Sequence, residues 1–142
     1  MKNIILYAFF VLVLSGCLNT PPFPNAPTET PSSSAQRISN FLGPQQLRAM
    51  VTHYANLMPT GALVATRAPA ILAEEINRST AKYQRQWNAA LAQSWQDAVP
   101  QSRLDQIASD ADLASSIKTV DRQTFTSVGL LMQKRAEPIL RS

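Results

Sequence analysis

Apolar residues recur every three or four positions over residues 72–98, which is the spacing of one face of an α-helix. At 100° per residue, Trp87 lies at the centre of this stripe and Trp95 at its border. The stripe consists of Leu72, Ile76, Tyr83, Trp87, Ala90, Leu91, Ser94 and Ala98. The opposite face carries Glu74, Glu75, Arg78, Lys82 and Arg85. The pattern predicts a long amphipathic helix that Val99-Pro100 ends, since the residue before proline avoids the helical region.

Helical spacing also follows Pro44, whose fixed φ suits the first turn of a helix. The apolar positions of this helix are Leu47, Met50, Val51, Tyr54, Leu57 and Met58. The sequence Met58-Pro59-Thr60-Gly61 predicts a turn that ends it, and Pro69 predicts that a helix starts, bends or breaks there. Leu63, Val64 and Ile71 share a face that differs from the later stripe, so we expect the packing direction to change near Pro69.

The C-terminal part contains two sequence signals for helix starts. Ser102 and Asp105 have the spacing of a capping box ahead of Ile107, and a second signal follows at Ser109-Asp110-Ala111-Asp112. One stripe then runs as far as Pro138 and predicts a single last helix. Its members are Leu113, Ile117, Val120, Thr124, Val128, Leu131, Met132 and Ile139.

Helices of this kind hide their apolar stripes only by packing on one another, which predicts an all-α bundle of four or five helices over residues 37–142. That length suits one small domain. We expect Tyr54, Tyr83, Trp87 and Met132 near its centre.

The N-terminus has a different pattern. Eleven apolar residues, Ile4 to Leu14, follow Lys2; the run is shorter than the ~20 residues needed to cross a bilayer, so a signal peptide fits better than a membrane helix. The run ends in Leu14-Ser15-Gly16-Cys17, which contains the only cysteine and resembles the lipobox of bacterial lipoproteins. The resemblance implies removal of residues 1–16 and attachment of a diacylglycerol and an acyl chain to Cys17. Some lipoproteins carry aspartate directly after the cysteine. This chain has Leu18 there, which resembles the lipoproteins that are sent to the outer membrane, facing the periplasm.

Residues 17–36 are rich in proline and serine and include one aromatic residue, Phe23. Prolines favour extended conformers, and the segment has too little apolar surface to order itself. We therefore expect a disordered tether between the lipid on Cys17 and the helical domain.

A second resemblance covers residues 98–140. Leu104-Asp105-Gln106-Ile107 and the segment from Val128-Gly129 to Lys134 are similar to an uncharacterised family of small helical secreted bacterial domains. The resemblance implies a helical fold and carries no known activity.

The sequence contains no recognisable catalytic, cofactor or metal pattern. His53 is the only histidine, and an ordinary histidine at the edge of the core is the simpler interpretation than a general base. If lipid occupies Cys17, no thiol remains for a disulfide, a metal site or a nucleophile. Glu74 and Glu75 point about 100° apart on a helix and do not form a glycosidase pair, although one glutamate could serve a peptidoglycan lyase.

Charge and the aromatic residues suggest contact surfaces. The 13 Lys and Arg residues outnumber the 9 Asp and Glu residues, and loss of Lys2 with the leader leaves a net charge of +3. Arg78, Lys82 and Arg85 share a helix face that either binds an anion or is simply solvated. Trp95, at the stripe border, is a candidate interface residue.

Two hypotheses about function follow. The favoured one is a lipid-anchored envelope protein without catalytic activity, held at the membrane by Cys17 and bound to another envelope protein rather than to nucleic acid. It would act as a subunit of a secretion or assembly complex or as an inhibitor. The alternative is a small peptidoglycan hydrolase or lyase that uses Glu74 or Glu75.

Overall fold

A computed structural model describes residues 30–57 and 59–140, and within these ranges the chain forms six helices and no strand. In chain order they are α1 (Ser33–Leu57), α2 (Pro59–Arg67), α3 (Pro69–Ala98), α4 (Gln101–Ser109), α5 (Leu113–Lys118) and α6 (Arg122–Leu140). The all-α prediction is confirmed.

The long helices α1 and α3 run antiparallel along each other. The backbone N–H of Ser32 donates to Oε1 of Gln96 over 2.6 Å. Further along α1, Nδ2 of Asn88 donates to Oδ1 of Asn40 over 3.0 Å, and Arg48 donates to Oδ1 of Asn77 over 2.8 Å. As the residue number rises in α1 it falls in α3, so these two helices form a hairpin that α2 connects.

Gly43 permits the close approach of α1 and α3. A β-carbon at this position would collide with the side-chain amide of Asn88 on α3. The same amide accepts a hydrogen bond from Nε2 of Gln84, 2.7 Å away, which holds it against the glycine. The absence of a side chain at Gly43 therefore sets the spacing of the hairpin.

The core lies where α4 packs on α1 and where α6 packs on the second half of α3. Its largest side chains with less than 2% exposure are Trp95, Ile38, Leu47, Leu91, Leu104, Ile107 and Val128. At the edge of this core, Arg135 on α6 donates to Oγ of Ser94, 3.1 Å away, and pairs with Asp97, both on α3. Apolar burial and this polar contact together fix α6 on α3.

The first helix starts earlier than the sequence predicted. It begins at Ser33 rather than Pro44, so the helical domain includes residues that we assigned to the tether of residues 17–36. Ala35 is completely buried in the core, which explains why this first turn is ordered. Pro44 lies inside α1 on an exposed position, and because proline has no N–H it cannot donate the helical hydrogen bond to the carbonyl of Asn40.

The predicted turn over residues 58–61 is wrong in part, because α2 begins at Pro59 and contains Gly61. A β-carbon at Gly61 would collide with the backbone carbonyl of Ala55, so α2 folds tightly back on the end of α1. Pro69 does start a helix, and α3 ends at Ala98 before Val99-Pro100, as the sequence predicted.

Of the two helix starts predicted in the C-terminal part, the one at Asp112 is confirmed and the capping box of Ser102 and Asp105 is wrong. The N-cap of α4 is Pro100, and it makes no side-chain hydrogen bond. Asp105 does not cap this helix; its carboxylate accepts hydrogen bonds from Nε2 of Gln101 and Oγ of Ser34, each over 2.6 Å. The predicted single last helix is divided into α5 and α6. Asp112 caps α5, and Asp121 caps α6 by accepting from the backbone N–H of Thr124 over 2.9 Å.

The predicted signal peptide, Cys17 and Phe23 all lie outside the described residues. Across residues 30–57 and 59–140, none of the helices combines the length and the apolar character that a membrane span requires.

Candidate interaction surface

Trp95 is not the surface residue that the stripe predicted. Its side chain is 1% exposed, less than the 4% of Trp87 at the stripe centre. The Phe125 ring of α6 packs against Trp95 with the two ring centroids 5.7 Å apart and the planes at 81°. The border of the stripe is buried because α6 covers a second side of α3, which the sequence of α3 alone does not reveal.

The four residues that were predicted near the centre of the bundle differ in burial. Trp87 and Met132 are buried, as expected, and Tyr83 is partly buried against the core. Tyr54 was expected at the centre but is 37% exposed, because the core ends before the last turns of α1. His53 is half-buried, and its ring packs edge-on near Tyr54 with centroids 6.2 Å apart. This is the environment of a histidine at the edge of the core.

The three predicted basic residues do share one exposed side of α3. We call this side the outer face of α3; it consists of Ile71, Glu74, Glu75, Arg78, Lys82 and Arg85, all exposed. Lys82 donates to the hydroxyl of Tyr83 over 2.8 Å and lies 4.6 Å from its ring centroid. Arg85 has no ion-pair partner among the described residues.

Glu74 and Glu75 both bind Arg78. The Arg78 guanidinium lies 3.2 Å from Glu74 and also contacts Glu75, and the two carboxylate side chains are 73% and 53% exposed. A catalytic carboxyl group is usually kept protonated by an apolar, enclosed setting. Two solvated carboxylates that share one arginine have the geometry of a surface ion-pair network instead.

A shallow polar cleft of about 300 Å³ lies beside α4 and α5. Arg103 on its wall donates to Thr119 over 2.9 Å and to Gln106, while Ser116 donates to Asp110. The cleft side chains thus bind each other. The hydrogen bond from Ser116 lowers the pKa of Asp110 below its usual value.

Two further aspartates have lowered pKa values because they cap helices. Hydrogen bonds from Ser115 lower the pKa of Asp112, and those from Thr124 lower the pKa of Asp121. Throughout the described residues, no three His, Cys, Asp or Glu side chains come together in a way that could hold a metal ion. Asp112 and Asp121 instead have a structural role, because they cap the starts of α5 and α6.

One end of the α1–α3 hairpin lacks a core. We call it the open end: Val51–Leu57 of α1, the whole of α2, and residues 69–75 of α3. None of its described side chains is fully buried. Its large exposed apolar residues, with their exposed fractions, are Leu57 (60%), Ile71 (60%), Leu63 (51%) and Tyr54 (37%). Neighbouring apolar residues exposed together mark interaction surfaces more often than single ones do.

The sequence carried one signal for this surface. The shared face of Leu63, Val64 and Ile71 indicated a separate packing direction near Pro69, and Leu63 and Ile71 do lie at the open end rather than in the core. Leu57 and Tyr54 gave no such signal, because their spacing continues the stripe that is buried earlier in α1.

Comparisons of the chain with protein-family models, with curated proteins and with solved structures found no match. Its function therefore has to be inferred from its own residues.

Proposed function

We propose that this chain is a lipid-anchored protein of a bacterial cell envelope that binds another envelope protein and has no catalytic activity. Lipid on Cys17 attaches it to the outer membrane, on the side that faces the periplasm. In this role the helical domain is a subunit of a secretion or assembly complex or an inhibitor.

The observation that carries the proposal is the sequence Leu14-Ser15-Gly16-Cys17 at the end of an apolar run of signal-peptide length. Each methylene of a buried acyl chain contributes about 0.8 kcal/mol, so several chains on one residue form a lasting anchor. A proline-rich segment then separates Cys17 from the helices.

Binding rather than catalysis is supported by the surface of the helical domain. Glu74 and Glu75, the candidate acids of a peptidoglycan lyase, are solvated and paired with Arg78. The open end, in contrast, exposes three large aliphatic side chains, namely Leu57, Leu63 and Ile71. Exposed apolar clusters of this kind are typical of protein-binding surfaces.

Metabolic labelling with an alkyne fatty acid tests the anchor. The wild-type protein and a Ser15→Ala control, which keeps a small residue in the lipobox, are expected to be labelled and to sediment with membranes. Cys17→Ala lacks the attachment atom and is expected to remain unlabelled. Equal labelling of wild type and Cys17→Ala would refute the proposal.

A further inference from the structure

We infer that the open end and the outer face of α3 together bind an amphipathic helix whose apolar stripe is flanked by Asp and Glu side chains, on a partner protein of the envelope. The inference rests on the proposed function and specifies its partner. The observation behind it is that the core does not fill the whole bundle. It stops at Met50 on α1 and Ile76 on α3, whereas the end of α1, the whole of α2 and the start of α3 lie beyond it. An added helix would bury the exposed aliphatic residues as α6 buries the other end of α3.

The position of the tether directs the open end away from the protein's own membrane. The chain enters the bundle at the opposite end, where the N–H of Ser32 binds Gln96. Helix α1 has 25 residues, so about 27 Å separates this entry point from Val51, where the open end starts, and about 37 Å separates it from Leu57 at the far tip. Residues 18–32 span about 46 Å at ~3.1 Å per residue, the rise of a polyproline helix. For the far tip of the open end to touch the anchoring membrane, most of the tether would have to run back along the domain.

Charge also argues against a lipid surface. Ile71 lies one turn from Glu74 and Glu75 on the same exposed face. Insertion of Ile71 into a bilayer would bring both carboxylates toward the hydrocarbon, at a large desolvation cost. A protein helix laid across Ile71 leaves these carboxylates in water, bound to Arg78 as they are now.

The charges without a partner at this surface are positive. Glu74 and Glu75 are engaged by Arg78, whereas Arg67 on α2 and Arg85 on α3 form no ion pair within the described part of the chain. Acidic side chains beside an apolar stripe would complement Arg85 and Lys82 along the outer face.

The test is photocrosslinking in the living bacterium with the full-length protein. A photoreactive amino acid replaces Leu63 at the open end, and a control replaces Leu130 on α6, which is equally exposed (51% against 53%). Crosslinked peptides are then identified by mass spectrometry. Two further variants carry the probe at Leu63 together with a charge reversal. One has Arg85→Glu on the outer face of α3, and its matched control has Arg122→Glu on α6, away from the proposed binding surface.

We expect the Leu63 probe to capture a peptide from one partner protein, and this peptide should have an apolar helical stripe with flanking acidic residues. The crosslinking yield of the Leu130 probe with the same peptide should be at least ~10-fold lower. Arg85→Glu should reduce the yield ~10-fold, and Arg122→Glu should not. A lipid adduct, a peptide from a second copy, a basic or non-helical peptide, or equal yields at both sites would overturn the inference. Fatty-acid labelling of the same cells reports separately on the anchor, so loss of labelling with capture intact contradicts only the proposed function.

Discussion

The ring of Phe125 on α6 packs edge-on against the indole of Trp95 on α3, with the ring centroids 5.7 Å apart. Trp95 is the largest fully buried side chain among the described residues, and Phe125 covers its side of α3. Edge-to-face pairs add stability beyond the area that they bury. This contact therefore joins the α1–α3 hairpin to the last helix.

Trp95→Ala should destabilise the fold by about 3–5 kcal/mol, at least as much as Trp87→Ala, because it leaves a cavity between α3 and α6. Urea midpoints of the two variants measure this, and Leu130→Ala at an exposed site of α6 should change little. A Trp95→Ala variant that is clearly more stable than Trp87→Ala would show that α6 does not seal the core in this way.

Gly43→Ala should destabilise the hairpin by about 1–3 kcal/mol, since the added methyl group would meet the side chain of Asn88. Asn88→Ala alone loses the hydrogen bond with Asn40. In the double variant Gly43→Ala/Asn88→Ala, however, Gly43→Ala should lower the free energy of unfolding much less than it does in the wild-type background. Thermal or urea unfolding of the four proteins gives the coupling energy. Purely additive effects would mean that the two residues do not touch.

Acid should weaken the start of α6 through Asp121. Hydrogen bonds from Thr124 lower the pKa of this carboxyl from its usual 3.8, so the folded state binds the proton less readily than the unfolded chain. The stability it contributes is present above pH 3.8 and is lost as the pH falls through the lower folded-state value. The urea midpoint should thus drop between about pH 6 and about pH 2.5 by less in Asp121→Asn than in wild type. An equal drop would remove Asp121 from the acid response.

Removal of residues 1–30 should leave a stable fold, whereas removal of residues 1–36 should cost roughly 1–2 kcal/mol. The longer deletion removes the fully buried Ala35 and the Ser32 hydrogen bond to Gln96. Urea midpoints of the two shortened proteins compare them. Identical midpoints would place the start of the folded domain at Arg37, where the sequence predicted it.

The sequence predicted the helical class and the limits of α3 because its periodicity and the prolines at residues 69 and 100 act locally. The early start of α1 was hidden, since Pro44 is typical of a first turn and the burial of Ala35 depends on helices far along the chain. The break before α6 was predictable in principle: Asp121 and Thr124 have capping spacing, but the continuous stripe from Leu113 concealed it.

Of the open end, only Leu63 and Ile71 could be predicted to stand apart from the main stripe. Whether a stripe residue is buried depends on where neighbouring helices end, and that is a property of the assembled bundle. Tyr54 is exposed because the core ends at Met50, and Trp95 is buried because α6 crosses over it. Side-chain pattern within one helix does not contain this information.

Mass spectrometry of the mature N-terminal peptide, purified from membranes, tests the lipid anchor most directly. We predict that the chain begins at Cys17, and that the cysteine carries the added mass of a diacylglycerol and an amide-linked acyl chain. The Cys17→Ala protein should either keep its leader uncleaved or leave the membrane fraction. A mature chain that retains Met1, begins after residue 17, or carries an unmodified Cys17 would contradict the account.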